Sequence, residues 1–245
     1  MFSRDALLLV GHGSTTSPDA GRPLMAHADT IRASGRFAEV AVGLLRGEPE
    51  AGAVFDGLTA AVVHVVPFFL EDGYFTRIVI PDLLLPRAGG TRVVRFCRPV
   101  GTSEGIAALL ETRLLRHCDL FGVDPKSLSV LLVGHGSSQG PGRARYLRQH
   151  ASRLEAGNRF GWVRVAHLEE PPLVPEALAS TRGHVVAVIG YLANEGLHAS
   201  RDLPGLIAAE RMARGTNWPP VHDLGPIGAD AAMAALIVEQ VTALG

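Results

Sequence analysis

The chain has 245 residues, 47% of them apolar and 19% charged, with a formal net charge of −1 and a pI near 6.8. That apolar content excludes a disordered chain, and the near-balanced charge excludes a polyanion-binding surface, so nucleic acid is not an expected partner. No apolar run approaches the ~18 residues of a membrane span, so a membrane is not expected either. Cys97 and Cys118 are too few for a disulfide framework and are not spaced as a metal-binding pair. Met1-Phe-Ser-Arg-Asp leads straight into a strand pattern without a signal-peptide pattern, and the expectation is a cytoplasmic protein.

Taken in order, the apolar run over 6–10 predicts a strand. Leu24, Ala28 and Ile31 recur at helical spacing and predict a helix over 21–34. Strands are predicted over 40–45, 61–69 and 91–96, with a short helix at 54–60. A loop from Leu70 to Phe75 leads into a helix whose start is blurred. Ser103 suits an N-cap for a helix over 104–118. Strands alternating with helices indicate an α/β fold built on a parallel sheet.

The second half repeats this order. Leu8-Leu9-Val10-Gly11-His12-Gly13-Ser14 returns as Leu131-Leu132-Val133-Gly134-His135-Gly136-Ser137, 123 residues later. Gly73 and Pro81 recur at the same interval as Gly196 and Pro204. Further on the interval becomes 127, with Pro99-Val-Gly matched by Pro226-Ile-Gly. A period this long indicates a duplicated domain and not a solenoid. The expected organisation is two similar lobes, 1–122 and 123–245, joined near Phe121-Gly-Val-Asp-Pro-Lys126.

Three features could carry chemistry. His12 and His135 each end an apolar strand between two glycines, and ligands bind at the carboxyl ends of strands in open α/β sheets. Glycine permits a sharp turn and close approach of a ligand. A neutral imidazole is both a common metal ligand and a common general base. Gly-His-Gly-Ser could also cradle an anion, although it lacks the lysine of a P-loop. The serine is not in a nucleophile elbow. The second feature is the loop Gly190-Tyr-Leu-Ala-Asn-Glu-Gly-Leu-His198, which places His198 on the same sheet edge as His135; the matching first-half residue is Phe75. The third is Glu170, before Pro171, with Glu48-Pro49 as its first-half counterpart after a one-residue shift; Glu169 fits the spacing equally. Two histidines and a carboxylate with open positions make a reasonable metal site. His64 and His184 are expected to be structural, and His27, His117 and His150 to be solvated on helices. His222 could face either way, and Trp162 and Trp218 are expected to pack.

Together these motifs resemble the class II tetrapyrrole chelatases, and most closely the sirohydrochlorin cobalto-/ferrochelatase (CbiX-type) group in its long, duplicated form. The second half carries the resemblance best, through Val133-Gly-His-Gly-Ser137, Glu170-Pro171, and Gly196-Leu-His198 to Asp202-Leu-Pro204. The resemblance implies a chelatase fold of two α/β lobes. It implies a lyase that inserts Co²⁺ or Fe²⁺, with Ni²⁺ also compatible, into sirohydrochlorin or a related tetrapyrrole in cobalamin or sirohaem biosynthesis, without a nucleotide. His135 would accept protons and ligate the metal, His198 would be the second ligand, and Glu170 a third. The macrocycle would meet Gly134, Gly136, Ser137, Glu170, Tyr191, Leu192, Asn194, Glu195, Gly196, Leu197 and His12. Duplication suits a monomer acting as a pseudo-dimer. Phe75 departs from the family pattern and leaves the complete pair to the carboxyl-terminal lobe. The alternative is a non-catalytic tetrapyrrole or metal carrier.

Overall fold

The computed structural model describes residues 2–15, 21–90, 92–136, 144–181, 184–196, 198–215 and 218–244. Among these residues the chain forms two parallel sheets of four strands. The first contains β1 (Phe2–Gly13), β2 (Phe37–Arg46), β3 (Val62–Pro67) and β4 (Val93–Phe96), in the order β2-β1-β3-β4. The second contains β5 (Leu128–Gly134), β6 (Trp162–His167), β7 (Val185–Gly190) and β8 (Val221–Pro226), in the equivalent order β6-β5-β7-β8.

Each strand that carries a Gly-His-Gly turn is internal to its sheet. Leu8 and Val10 face a core with Phe55, Val63, Val65 and Ile80, while Leu7 and Leu9 alternate to the other face and are equally buried. A parallel strand covered on both faces must be apolar at every position, which is why both strands read as unbroken apolar runs. Crossover helices provide the cover: α1 (Arg22–Ala33), α2 (Ala51–Gly57) and α3 (Ile80–Leu84) in the first half, and α5 (Arg145–Ala156), α6 (Val174–Ala179) and α7 (Leu203–Arg214) in the second. No helix among the described residues is long and apolar enough to cross a membrane.

The closing helices, α4 (Gly105–Phe121) and α8 (Met233–Thr242), do not stay with their own halves. One compact unit comprises residues 1–103 and 229–245, so it contains α8; the other comprises 104–228 and contains α4. The sequence repeat is defined by similarity and the units by packing, and they differ by this exchange of one helix each.

Several local expectations are corrected. Ser103 lies just before α4 with extended backbone, φ −62° and ψ 135°, and its N–H closes a one-turn 3₁₀ segment onto the Val100 carbonyl; Glu104 follows it at the helix start. His27, His117 and His150 are buried, not solvated. The reason is helical periodicity itself, because His27 falls on the stripe of Leu24, Ala28 and Ile31, and His150 on that of Leu147, Ala151 and Leu154. His184, expected to be structural, is exposed. His64 is buried as expected, its Nε2 2.8 Å from Asp5 Oδ2.

Candidate metal centre

The carboxyl end of β5 is built for close backbone approach. Gly136 has φ of +81°, a conformation glycine adopts without penalty. A Cβ there would stand 2.9 Å from Glu170 Cγ and 3.0 Å from His167 Cβ. The chain after β6 is tied to this turn: Leu168 N–H donates to the Gly134 carbonyl at 3.1 Å and Glu169 N–H to the His135 carbonyl at 3.0 Å. On the other side, Tyr191 N–H donates to the Val133 carbonyl at 2.6 Å. Backbone from the flanking strands β6 and β7 thus fixes the position from which His135 projects. Ser137 and Leu197 lie outside the described residues.

His198 opens a π-helical turn, His198–Asp202, that leads into α7. The wider turn keeps His198 and Asp202 adjacent, with Nδ1 2.8 Å from Oδ2. The opposite nitrogen faces His135: the two Nε2 atoms are 3.0 Å apart, with the rings perpendicular at 88° and their centroids 4.4 Å apart. Glu169 completes the group, its Oε2 3.6 Å from His135 Nδ1. One ligand atom from each of His135, Glu169 and His198 lies within 4.8 Å of the others. All three side chains are 42–45% exposed, so a dication could reach them from solvent and leave again.

The neighbouring carboxylate turns the other way. Glu170 is buried, with Oε1 3.6 Å from His167 Nε2 beneath the turn. Burial pushes the His167 imidazole below its ordinary value of 6.5; Glu170 opposes this shift and Arg148 adds to it. Of the other predicted contact residues, Tyr191 and Leu192 are buried. Asn194, Glu195 and Gly196 lie at least partly at the surface. Glu169 rather than Glu170 therefore lies with the histidine pair. The signal that could have chosen between them is the backbone bond of Glu169 to His135, which adjacency in sequence does not reveal. Asp202 belongs to the Asp-Leu-Pro motif after the loop, and its bond to His198 exists only in the fold.

The first unit keeps the scaffold and changes the chemistry. Leu44 bridges Glu50 as His167 bridges Leu173. Gly101 N–H bonds the Phe69 carbonyl as Gly228 N–H bonds that of Leu192. The 123-residue interval thus holds through the second strand, so Glu48 corresponds to Pro171 and the shifted pairing of Glu48 with Glu170 is not seen. At the remaining positions Arg46 replaces Glu169, Gly47 replaces Glu170, Phe75 replaces His198 and Val79 replaces Asp202. His12 stays, half-buried, and meets Phe75 edge to face, with ring centroids 5.0 Å apart.

A sequence model of the CbiX family matches residues 6–117 and again 129–244. The chain is 28% identical to a probable sirohydrochlorin cobaltochelatase of Halobacterium salinarum, over 98% of this chain and 91% of that protein. It is also 28% identical to the sirohydrochlorin cobaltochelatase of Methanosarcina acetivorans, over 47% of this chain and 95% of that one. Among solved structures it is similar to DR2241 of Deinococcus radiodurans, a multi-domain protein with structural similarity to chelatases, at 27% identity and a TM-score of 0.82. That match covers 97% of this chain but spans only 54% of the Deinococcus protein. The sirohydrochlorin chelatase SirB of Bacillus subtilis subspecies spizizenii, solved with cobalt, shares the fold at 19% identity and a TM-score of 0.75, over 98% of this chain and 94% of that one. With both halves matched by one family and the fold shared along nearly the whole length, the chain belongs to the CbiX family of chelatases, with that family's domain present twice.

Proposed function

We propose that this protein inserts a divalent metal, Co²⁺ or Fe²⁺, into sirohydrochlorin or a closely related tetrapyrrole. The metal is delivered by His135 and His198 with Glu169 beside them. The observation that carries the reading is the 3.0 Å approach of the two Nε2 atoms at the carboxyl end of β5, with a carboxylate in reach. Relatives of this chain include proteins named sirohydrochlorin cobaltochelatases, which supports the substrate.

The chemistry follows from the donors. Metallation removes two pyrrole N–H protons while a hydrated dication loses its waters. Asp202 Oδ2, a hydrogen-bond acceptor 2.8 Å away, retains the proton of His198 on Nδ1 and leaves Nε2 with a free lone pair. In the metal-free pair His135 Nε2–H then donates to that lone pair. A dication takes the place of this hydrogen bond, and His135 carries its proton on Nδ1, facing the Gly136 carbonyl at 3.2 Å and Glu169 at 3.6 Å. As the metal passes to the macrocycle, His135 Nε2 becomes free to accept one of the two pyrrole protons, and solvent water at this exposed site takes the other. An exposed site with two imidazoles and one carboxylate binds weakly enough to release its cargo, unlike a closed four-ligand cage. Activity of a single chain in the cytoplasm is part of the same proposal.

Anaerobic mixing of the protein with sirohydrochlorin and Co²⁺, followed by visible absorption, tests it. Accelerated metallation that is lost in both His135→Ala and His198→Ala is the expected result. Macrocycle binding without acceleration would replace the enzyme with a carrier.

A further inference from the structure

In the first unit, the surface that corresponds to the metal centre is aromatic and basic. Phe69 and Phe75 stack at 6.1 Å with their planes 19° apart, and His12 stands edge-on to both. Tyr74 packs against Phe75 at 6.0 Å and is 68% exposed, and Ile78, on the turn that Phe75 opens, is 46% exposed. Rings and an aliphatic side chain of this size left open to water on one sheet edge are a costly surface unless something covers them. The substitutions that create it are concerted. The carboxylate of Glu169 becomes the exposed guanidinium of Arg46, which lies across the ladder from Gly13. His198 becomes Phe75, Arg201 becomes Ile78 and Asp202 becomes Val79. Three of the four changes, at Arg46, Phe75 and Val79, remove a group that would hold a cation or orient its ligand, and two of those add a feature that suits a flat, conjugated anion; Ile78 instead replaces a guanidinium and widens the apolar face.

We infer that this face of the first unit, formed by Phe69, Tyr74, Phe75 and Ile78 with Arg46 at its edge, binds the metal-free tetrapyrrole. The conjugated ring lies on the aromatic side chains and a peripheral carboxylate pairs with Arg46. Stacking suits any extended π-system, whereas the guanidinium selects one bearing carboxylates. A planar polycarboxylate meets both demands, and a bare dication meets neither. The inference rests on the chelatase reading for the identity of the macrocycle, but it concerns residues that the metal centre does not use.

The test is an anaerobic titration of the full-length chain with metal-free sirohydrochlorin, read by its absorption and fluorescence. Wild type would be compared with Tyr74→Ser, Tyr74→Ala/Phe75→Ala and Arg46→Glu. Cobalt binding without tetrapyrrole, read by its visible bands, reports on the second unit and on folding. Tyr74 is largely exposed, so its replacement by Ser leaves the core untouched. Tetrapyrrole binding weakened at least tenfold in the double variant and in Arg46→Glu, and measurably in Tyr74→Ser, with cobalt binding unchanged, is the expected result. Affinities within twofold of wild type in all three would overturn the inference. If His135→Ala still abolished metallation in that case, the chelatase reading would stand alone. Loss of self-association in the variants with tetrapyrrole binding intact would also overturn it, making the patch a contact between copies. A wild-type chain that bound no sirohydrochlorin would overturn both readings.

Discussion

His12 and Phe75 meet edge to face at 5.0 Å and 83°, almost as His135 and His198 meet at 4.4 Å and 88°. The fold therefore positions the two loop residues alike, and only the side chain decides whether a metal can be held. His135→Ala should lower the metallation rate by about 100-fold or more, the scale of losing a positioned proton acceptor, while His12→Ala should cost far less. Equal losses would place the working site elsewhere. Calorimetric titration with Co²⁺ should give one equivalent for the wild type. Restoring Phe75→His, Val79→Asp and Arg46→Glu together should raise it toward two.

In the proposed mechanism Asp202 sets the tautomer of His198 through the 2.8 Å contact with Nδ1. Asp202→Asn can present an N–H to the same nitrogen and so favours the tautomer with Nε2 protonated, which cannot ligate. Loss of such an outer partner typically weakens metal binding by about 10–100-fold. Asp202→Glu should recover part of it, since the acceptor is retained. An unchanged cobalt affinity in Asp202→Asn would show that His198 chooses its tautomer without help.

Glu169 and Glu170 are adjacent in sequence and opposite in effect. Glu169→Gln should weaken cobalt binding, read from its visible spectrum, because its carboxylate stands with the histidines. Glu170→Gln should act first on the melting temperature, because Glu170 lies buried against His167. The reverse pattern would make Glu170 the ligand.

Gly136 is expected to tolerate no side chain. Gly136→Ala must adopt φ near +81° and drive a methyl group into Glu170 and His167. The backbone conformation alone costs about 1–2 kcal/mol, and the clash adds to it. Chemical denaturation should show the loss, and the displaced Glu170 loop should carry Glu169 away from His135, so cobalt affinity should fall as well.

Stability should decline on the acid side of neutrality. Burial holds the His167 and His117 imidazoles below the ordinary 6.5, with His222 adding to the effect at His117 through a 2.9 Å contact. Below 6.5 the unfolded chain takes up these protons before the folded one does, so unfolding becomes easier as pH falls from that point toward the depressed native values. Above 6.5 both states are neutral and this dependence vanishes. Melting temperatures measured between pH 5.5 and 8 should show that fall. His117→Gln keeps a polar partner for His222 without titrating, so its fall should be shallower.

By itself the sequence determined the α/β class, the duplication, the two histidines at strand ends and the asymmetry between His198 and Phe75. These follow from local patterns, because an apolar run closed by Gly-His-Gly can only be a buried strand that stops at a sheet edge. The tertiary structure decided the rest. Whether Glu169 or Glu170 joins the pair depends on how the chain after β6 bonds across to β5, a non-local ladder that adjacent identical residues cannot encode. The exchange of α4 and α8 between compact units was hidden because a helix displays its apolar face without naming the sheet it covers. The aromatic face of the first unit depends on the fold, which stacks Phe69 on Phe75 and packs Tyr74 against it. There Arg46, Phe75 and Val79 stand where Glu169, His198 and Asp202 hold the other site. Strand register is dictated by burial of one whole face, whereas loop chemistry is free to diverge once the scaffold beneath it is held.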